Sequence, residues 1–375
     1  MATLRRITVE GYKSIKQMSL DLRQLNVLIG ANGAGKSNLI SLFALLGEMV
    51  TRRLQIHVGR SGGANALLHY GVKCTPRLRA VLDFQSDQEF FKYDFTLGAD
   101  AQESLFIEEQ HLEYPQPYPS GLRQHTSFCF GRGLPESVCP EDPPEPYQRW
   151  VLICDLFERC QLFHFDDTSE TSPIRRSGYI HDNRSLTHDG GNLAPFLYRM
   201  KQTERVAYDR TIRTIQQAMP WFADFVIEPL ELNKNNVQLD WHERGSDLLF
   251  GPHQLPDGAL RAMALFTLLL QPKEWLPRII VIDEPELGLH PSAINILAGL
   301  AEAAARHCQI VLATQSVTLV DHLDPDEVIA VDREDGASTF KRVPDQMSAE
   351  LLKEWLDDYS LSELWEKNVI GGGPF

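Results

Sequence analysis

Positive charge is scarce in this chain. Its 375 residues carry 36 Lys and Arg against 51 Asp and Glu, a formal net charge of −15. A surface that acidic does not coat DNA by bulk electrostatics. Any contact with nucleic acid has to be local, delegated to a partner or formed by an assembled dimer. Long apolar runs are missing too. The longest, Ala262–Leu270, is about half of the roughly 20 residues that a bilayer crossing needs. The opening MATLRRITVE holds no apolar signal core, so the expectation is a cytoplasmic protein without a membrane partner. The six cysteines, Cys74, Cys129, Cys139, Cys154, Cys160 and Cys308, form no CxxC pair and no metal-ligand spacing. That fits free thiols in a reducing compartment. No internal repeat and no sustained heptad pattern is present, so a long coiled-coil arm is not expected. Hydrophobic residues at 43% and charged residues at 23% leave an ordinary globular chain, enough for one large domain or two ordinary ones.

What is present changes character along the chain. Ile7, Val9 and Tyr12, then Met18, Leu20 and Leu22, then Leu25, Val27 and Ile29 predict two paired strands and a buried third. A glycine-rich turn follows, and then apolar residues at helical spacing from Leu39 to Leu46. Residues 59–71 read as loop and Arg79–Tyr114 as an antiparallel meander. The Pro-rich stretch 115–146 predicts a long irregular excursion. Gln148–Arg159 reads as a helix, and Leu193–Met219 as another stopped by Pro220. Phe222–Trp241 returns to strands. From Leu255 the text alternates: helix Asp257–Leu270, apolar strand Arg278–Ile282, helix Pro291–His307, apolar strand Gln309–Ala313, short helix. That is the pattern of a parallel sheet covered on both faces. Trp355, Leu361 and Trp365 predict a terminal helical hairpin packed on the core. The two ends, 1–75 and 251–375, read as halves of one α/β domain with an inserted lobe at 76–250. Two tandem domains are the alternative, and the motifs decide against it, because one site draws on both ends.

Gly30-Ala31-Asn32-Gly33-Ala34-Gly35-Lys36-Ser37 fits the pattern GxxxxGK followed by Ser or Thr. Backbone N–H groups of a glycine turn point inward as an anion cradle, and the following helix adds its positive end. Side chains at the glycines would block a phosphate or forbid the dihedrals. Lys36 is placed to reach β- and γ-phosphates, and the Ser37 hydroxyl is a hard oxygen ligand for Mg²⁺. The expected cofactors are therefore ATP and Mg²⁺. The second motif is Ile279-Ile280-Val281-Ile282-Asp283-Glu284. A continuous apolar run belongs to a central parallel strand, and ligands bind at the carboxyl ends of such strands. Asp283 is placed to hold Mg²⁺, and Glu284 to orient and deprotonate the attacking water. A small-molecule kinase shares the loop, but the adjacent acid pair favours NTP hydrolysis.

Together these motifs resemble the RecF/SMC/Rad50/OLD group of ABC-type ATPases. GANGAGKSN resembles its Walker A, with Asn38 after the Ser, and IIVIDEPELGLHP its Walker B. ITVEGYKSI resembles its first strand, which brings Lys13 and Ser14 into the nucleotide site. LPDGALRAMALFTLLL resembles its signature helix and VLATQSVTLVDHL its switch segment. LLHYGVK, FHFDDTSETSP, GGNLAPFLYRM and EWLDDYSLSELWEKN resemble the stand-alone ATPases of the AAA15/AAA21 type, so the resemblance covers nearly the whole chain. It implies an α/β P-loop head with a parallel-rich central sheet, N-terminal antiparallel strands and an inserted β-rich and helical lobe. It also implies ATP-driven homodimerisation, each nucleotide held between the Walker motifs of one copy and the signature residues Asp257 and Gly258 of the other. The settings of such proteins are DNA repair, chromosome maintenance and anti-phage defence. A separate effector, a nuclease or toxin, fits the lack of any other catalytic constellation. After Ser316, spaced acidic strands of a nuclease module are not found, so none is expected here.

The sequence departs from the group at two places. Leu255-Pro256-Asp257-Gly258-Ala259 stands where a transporter has LSGGQ, and Pro256 removes a hydroxyl and an N–H. Gln315 replaces the switch His: it hydrogen-bonds a γ-phosphate or water without carrying a proton, or it merely ends a strand. Slow or partner-stimulated hydrolysis, or a nucleotide-dependent switch with little turnover, follows from either. A transporter subunit is the remaining alternative, disfavoured by the absent LSGGQ. Lys13, Lys16, Arg52, Arg53 and Arg60 form either a local DNA-facing patch or ordinary solvated charge, and Arg175–Arg176 carry the same ambiguity. His290 is a nucleotide or partner contact, or simple loop structure. His164, Asp166 and Asp167 lack a second spaced ligand set and predict no metal.

Overall fold

The period-two alternation that opens the chain becomes, in the computed structural model, a six-stranded antiparallel sheet. Its order is Ile15–Asp21, Thr3–Tyr12, Arg77–Gln85, Phe90–Ala99, Leu105–Pro117 and Arg123–Leu134. The structure describes residues 2–87, 89–117, 123–137 and 147–373. By packing, the chain divides into two compact units, Met1–Cys160 with Asp324–Phe375, and Gln161–Leu323. The partition at 75/76 and 250/251 concerns which stretch is inserted and stays a proposal.

In the first unit one face of the sheet is apolar. Leu78, Ala80, Leu82 and Phe84 lie buried beside Phe91, Tyr93, Phe95 and Leu97. The helix Tyr147–Glu158 closes this core with Trp150, whose ring lies 4.9 Å from Tyr93 and 5.0 Å from Phe130. The other face is polar: Arg77 pairs with Glu108, and Arg79 with Asp94. Arg123–Leu134 corrects an expectation. It is an edge strand paired with Leu105–Pro117, Glu113 opposite Ser127, and not part of an irregular excursion. Pro115 and Pro117 stand at the end of their strand, where a missing N–H costs the ladder least. The rest of that expected excursion, 118–122 and 138–146, lies outside the described residues.

The buried strand Leu25–Ile29 pairs in parallel with Val328–Glu334, which pairs antiparallel with Ala337–Arg342. The sequence expectation assigns no element to 328–342. Its signal is Asp335-Gly336, with φ of 49° and 80°, the positive-φ pair of a tight hairpin turn. Helix Lys36–Val50 follows the glycine turn and buries Leu39, Ile40, Leu42, Phe43, Leu45 and Leu46. Short helices at Leu54–Arg60 and Ala64–Leu67 occupy part of the stretch expected as loop.

The second unit is helix-rich. The single helix expected over 193–219 is two, Leu193–Thr203 and Arg205–Ala218, broken at Glu204 with φ −133° and ψ 55°. Helix Asp257–Leu270 leads to two parallel strands, Ile279–Asp283 and Gln309–Thr314, joined through helix Pro291–Ala305. A parallel pair needs such a crossover. The register sets Asp283 opposite Ala313, so the two strands end side by side. Among the described residues, no helix is long and apolar enough to cross a membrane.

Candidate nucleotide-binding site

The glycine loop is built by close approach. A Cβ at Gly30 would collide with the Val331 carbonyl oxygen, and one at Gly35 with the Ser338 hydroxyl. Those two glycines are therefore required by packing within the first unit. Gly33 differs: its φ is 79°, and a Cβ there would meet no protein atom within 4 Å. It supplies a left-handed turn and leaves one side of the loop open. Lys36 is 5% exposed, and its Nζ donates to the carbonyls of Gly30 at 2.6 Å and Ala31 at 3.2 Å. The ammonium thus spans the loop at the positive end of the helix that Lys36 begins. A cation stacked on a helix N-terminus favours an anion beside it. The residues fit a polyphosphate.

Three residues, Ser14, Asn38 and Ser338, brace this loop. Asn38 Nδ2 donates to Ser14 Oγ at 2.6 Å, and Ser14 Oγ shares a 2.6 Å hydrogen bond with Ser338 Oγ. The Ser338 hydroxyl donates to the Ala34 carbonyl, and Ser338 N to the Ser14 carbonyl at 2.8 Å. Ser14 and Asn38 are thereby drawn to the loop. Ser338 was not legible, since a lone serine 304 positions from its partner has no local pattern. Lys13 has φ 46°, and its Nζ donates to Ser41 Oγ at 2.9 Å. Burial pushes its ammonium below the ordinary lysine value.

The acidic strand end belongs to the second unit. Glu284 follows the strand with φ 49°, a conformation costly for a residue other than glycine. Its N–H donates to the Ala313 carbonyl at 2.8 Å. The Gln315 side-chain amide donates to Glu284 Oε1, while Gln315 N donates to Glu286 Oε1 at 2.9 Å. Gln315 is thus tied to both acids. Glu286 Oε2 is buried without a hydrogen-bond partner, and burial pushes this carboxyl above its ordinary range. The Asp283 carboxylate and the Ser37 hydroxyl each carry oxygen of the hard type that suits Mg²⁺.

The signature helix starts at Asp257 with Pro256 at its N-cap and no side-chain cap. A Cβ at Gly258 would collide with the Gly288 carbonyl oxygen. This glycine has a packing reason independent of any phosphate. Arg261, one turn on, donates to the carbonyls of Phe165, Asp166 and Leu287. A small cavity of about 150 Å³ lined by His164, Phe165, Arg261, Asp283 and Glu284 lies there.

Several of the remaining candidates have partners within their own surroundings. Arg53 pairs with Glu48 at 2.6 Å. Lys16 lines the polar face of the large sheet among Arg77, Arg79, Glu10 and Glu109, a surface of mixed charge. His290 Nδ1 accepts from Ser292 N at 3.2 Å and caps the helix Pro291–Ala305. Asp167 accepts from the Ser169 hydroxyl at 2.7 Å. Among the described residues no His, Cys, Asp and Glu gather as a metal-holding group of three.

A family model described as "AAA domain, putative AbiEii toxin, Type IV TA system" matches residues 25–321. The chain belongs to this AAA_21 family. The AAA_21 chain is also 22% identical, over 362 residues, to an OLD nuclease of Thermus scotoductus. That match covers 85% of this chain and 60% of the relative, so the chain spans about 60% of that protein's length. Among solved structures it is similar to an Smc head bound to the C-terminal winged-helix domain of ScpA. The TM-score is 0.57 and the identity 14%, over 93% of this chain and 99% of that one. An Smc head with an extended coiled coil, bound to the C-terminal domain of ScpA and derived from Pyrococcus furiosus, gives 0.56 and 15%, over 96% and 99%. At such identities the likeness is one of fold: the α/β fold of P-loop ABC-type ATPase heads.

Proposed function

We propose that this AAA_21 chain binds and hydrolyses ATP as an ATP-gated homodimer acting on DNA or on a partner effector. The observation that carries the reading is the loop 30–37: an open left-handed turn at Gly33, a buried Lys36 across it and a helix N-terminus behind it. Backbone N–H groups of Gly33 to Ser37 and the Lys36 ammonium hold the phosphates, with Ala31 and Asn32 completing the turn. Lys13, Ser14 and Asn38 support it from the side. Ser37 and Asp283 would hold Mg²⁺, which when bound neutralises charge on the phosphates. Glu284 takes the proton of the attacking water, and Gln315 orients Glu284. Asp257 and Gly258 face the nucleotide of the second copy. A nuclease relative and the Smc-head fold support a DNA-linked role, with a separate nuclease or toxin as effector. A cytoplasmic location without membrane partners goes with it.

One contact favours a second reading, a nucleotide switch with little turnover. Gln315 already occupies Glu284 Oε1 and offers no proton-carrying group. Phosphate release by wild type, Lys36→Ala and Glu284→Gln separates the two. Hydrolysis in wild type well above both variants supports the enzyme, and no excess over Lys36→Ala, with and without DNA, refutes it.

A further inference from the structure

Arg175 was ambiguous in the sequence and is a buried cation in the structure, 4% exposed. Its Nε donates to the Thr168 carbonyl at 2.7 Å. Its Nη1 donates to the carbonyls of Pro252 and of Leu255, the latter at 3.0 Å. Its Nη2 donates to Asp257 Oδ1 at 2.6 Å. All of these belong to the second unit. Three of the four acceptors lie on the short run 252–257 that launches the signature helix. The run 252–254 holds itself as a short turn, with Leu255 N donating to the Pro252 carbonyl at 3.3 Å and Gly251 N to Gln254 Oε1 at 2.9 Å. At the helix start itself, Pro256 has no N–H and no side chain caps the helix.

A guanidinium in this place is unfavourable by itself. It is desolvated, and it stands at the positive end of a helix. What it does that a neutral donor cannot is fix several acceptors at once with a rigid planar fork. It also pairs the largely exposed carboxylate of Asp257, a charge that would otherwise repel a phosphate. We propose that Arg175 is a positioning residue for the signature turn, holding Leu255–Gly258 in the shape that grips a second copy's nucleotide. It acts through the turn and does not touch the nucleotide. The inference rests on the ATP-gated dimer proposed above.

The test uses the full chain with Arg175→Ala, and with Arg175→Lys, which keeps the charge without the fork. Both variants should bind a fluorescent ATP analogue as wild type does, because Lys36 and its loop are unchanged. ATP-dependent dimerisation should weaken by roughly ten- to a hundred-fold, the scale of losing a charged hydrogen bond. Mixing gives the sharper result. A dimer of Arg175→Ala with Lys36→Ala retains one intact pairing, the loop of the first against the signature of the second. Equal mixing should therefore restore ATP-dependent dimers and about a quarter of wild-type sites, at concentrations where Lys36→Ala alone gives no dimer and the weakened Arg175→Ala alone stays monomeric. No recovery on mixing, or loss of nucleotide binding by Arg175→Lys itself, overturns the proposal, since Arg175 then serves only its own copy. Wild-type and Glu284→Gln chains that both stay monomeric with ATP overturn the dimer beneath it instead.

Discussion

Alanine in place of Gly258 sets two physical terms against each other. In a helix, alanine is ordinarily better than glycine by about 1 kcal/mol, because glycine loses more backbone freedom. Here the new Cβ would strike the Gly288 carbonyl oxygen, which is backbone and cannot swing away as a side-chain tip would. Overpacking of that kind costs about 1–3 kcal/mol, and a collision with backbone belongs at the upper end. The net expectation is a loss of about 2 kcal/mol. At roughly 2–4 °C per kcal/mol for a unit of this size, Tm falls by about 4–8 °C. The matched control is Gly299→Ala in helix Pro291–Ala305, where the Cβ meets nothing within 4 Å. That variant should gain about 1 kcal/mol, so the two substitutions move Tm in opposite directions. Thermal unfolding without nucleotide isolates packing from any phosphate contact. A Gly258→Ala chain as stable as Gly299→Ala would refute the reasoning and leave the glycine to phosphate binding alone.

Two further outcomes follow from the acidic strand end. Gln315→Ala removes the side-chain hydrogen bond that Gln315 makes to the Glu284 carboxylate. Steady-state turnover should fall by about ten-fold with nucleotide affinity unchanged; a rise would mean that the contact restrains Glu284. Glu286 carries a carboxyl pushed upward by burial, so the folded chain holds its proton more tightly than the unfolded chain does. Its contribution is fully present below the ordinary carboxylate value and is lost as pH rises through the raised one. Glu286→Gln should therefore match wild type in urea midpoint near about pH 4 and exceed it near about pH 7. Equal midpoints at both values would refute this.

The parts of the site that were legible are those whose chemistry is local. The glycine loop and the apolar strand ending in Asp283 and Glu284 each occupy fewer than a dozen consecutive residues, and spacing alone marks them. The signature helix was legible to the residue, because Asp257–Leu270 carries an unbroken apolar helical pattern after Pro256. What sequence withheld is what depends on partners far away. Arg175 looks like surface charge amid Ser and Gly, and its acceptors are mostly backbone carbonyls, which leave no trace in side-chain identity. Ser338 joins Ser14 across 324 positions. The strand Arg123–Leu134 was hidden by prolines that belong to the end of the preceding strand. The hairpin 328–342 had a readable signal in Asp335-Gly336 that the stronger motifs upstream eclipsed.

The most direct test of the central claim is the mass of the Glu284→Gln chain in solution with and without ATP and Mg²⁺, measured by light scattering during size exclusion. The account predicts a monomer without nucleotide and a dimer with ATP-Mg²⁺, and no shift when Lys36→Ala is added. A single monomer peak under saturating ATP, from a chain shown to bind the nucleotide, would contradict it.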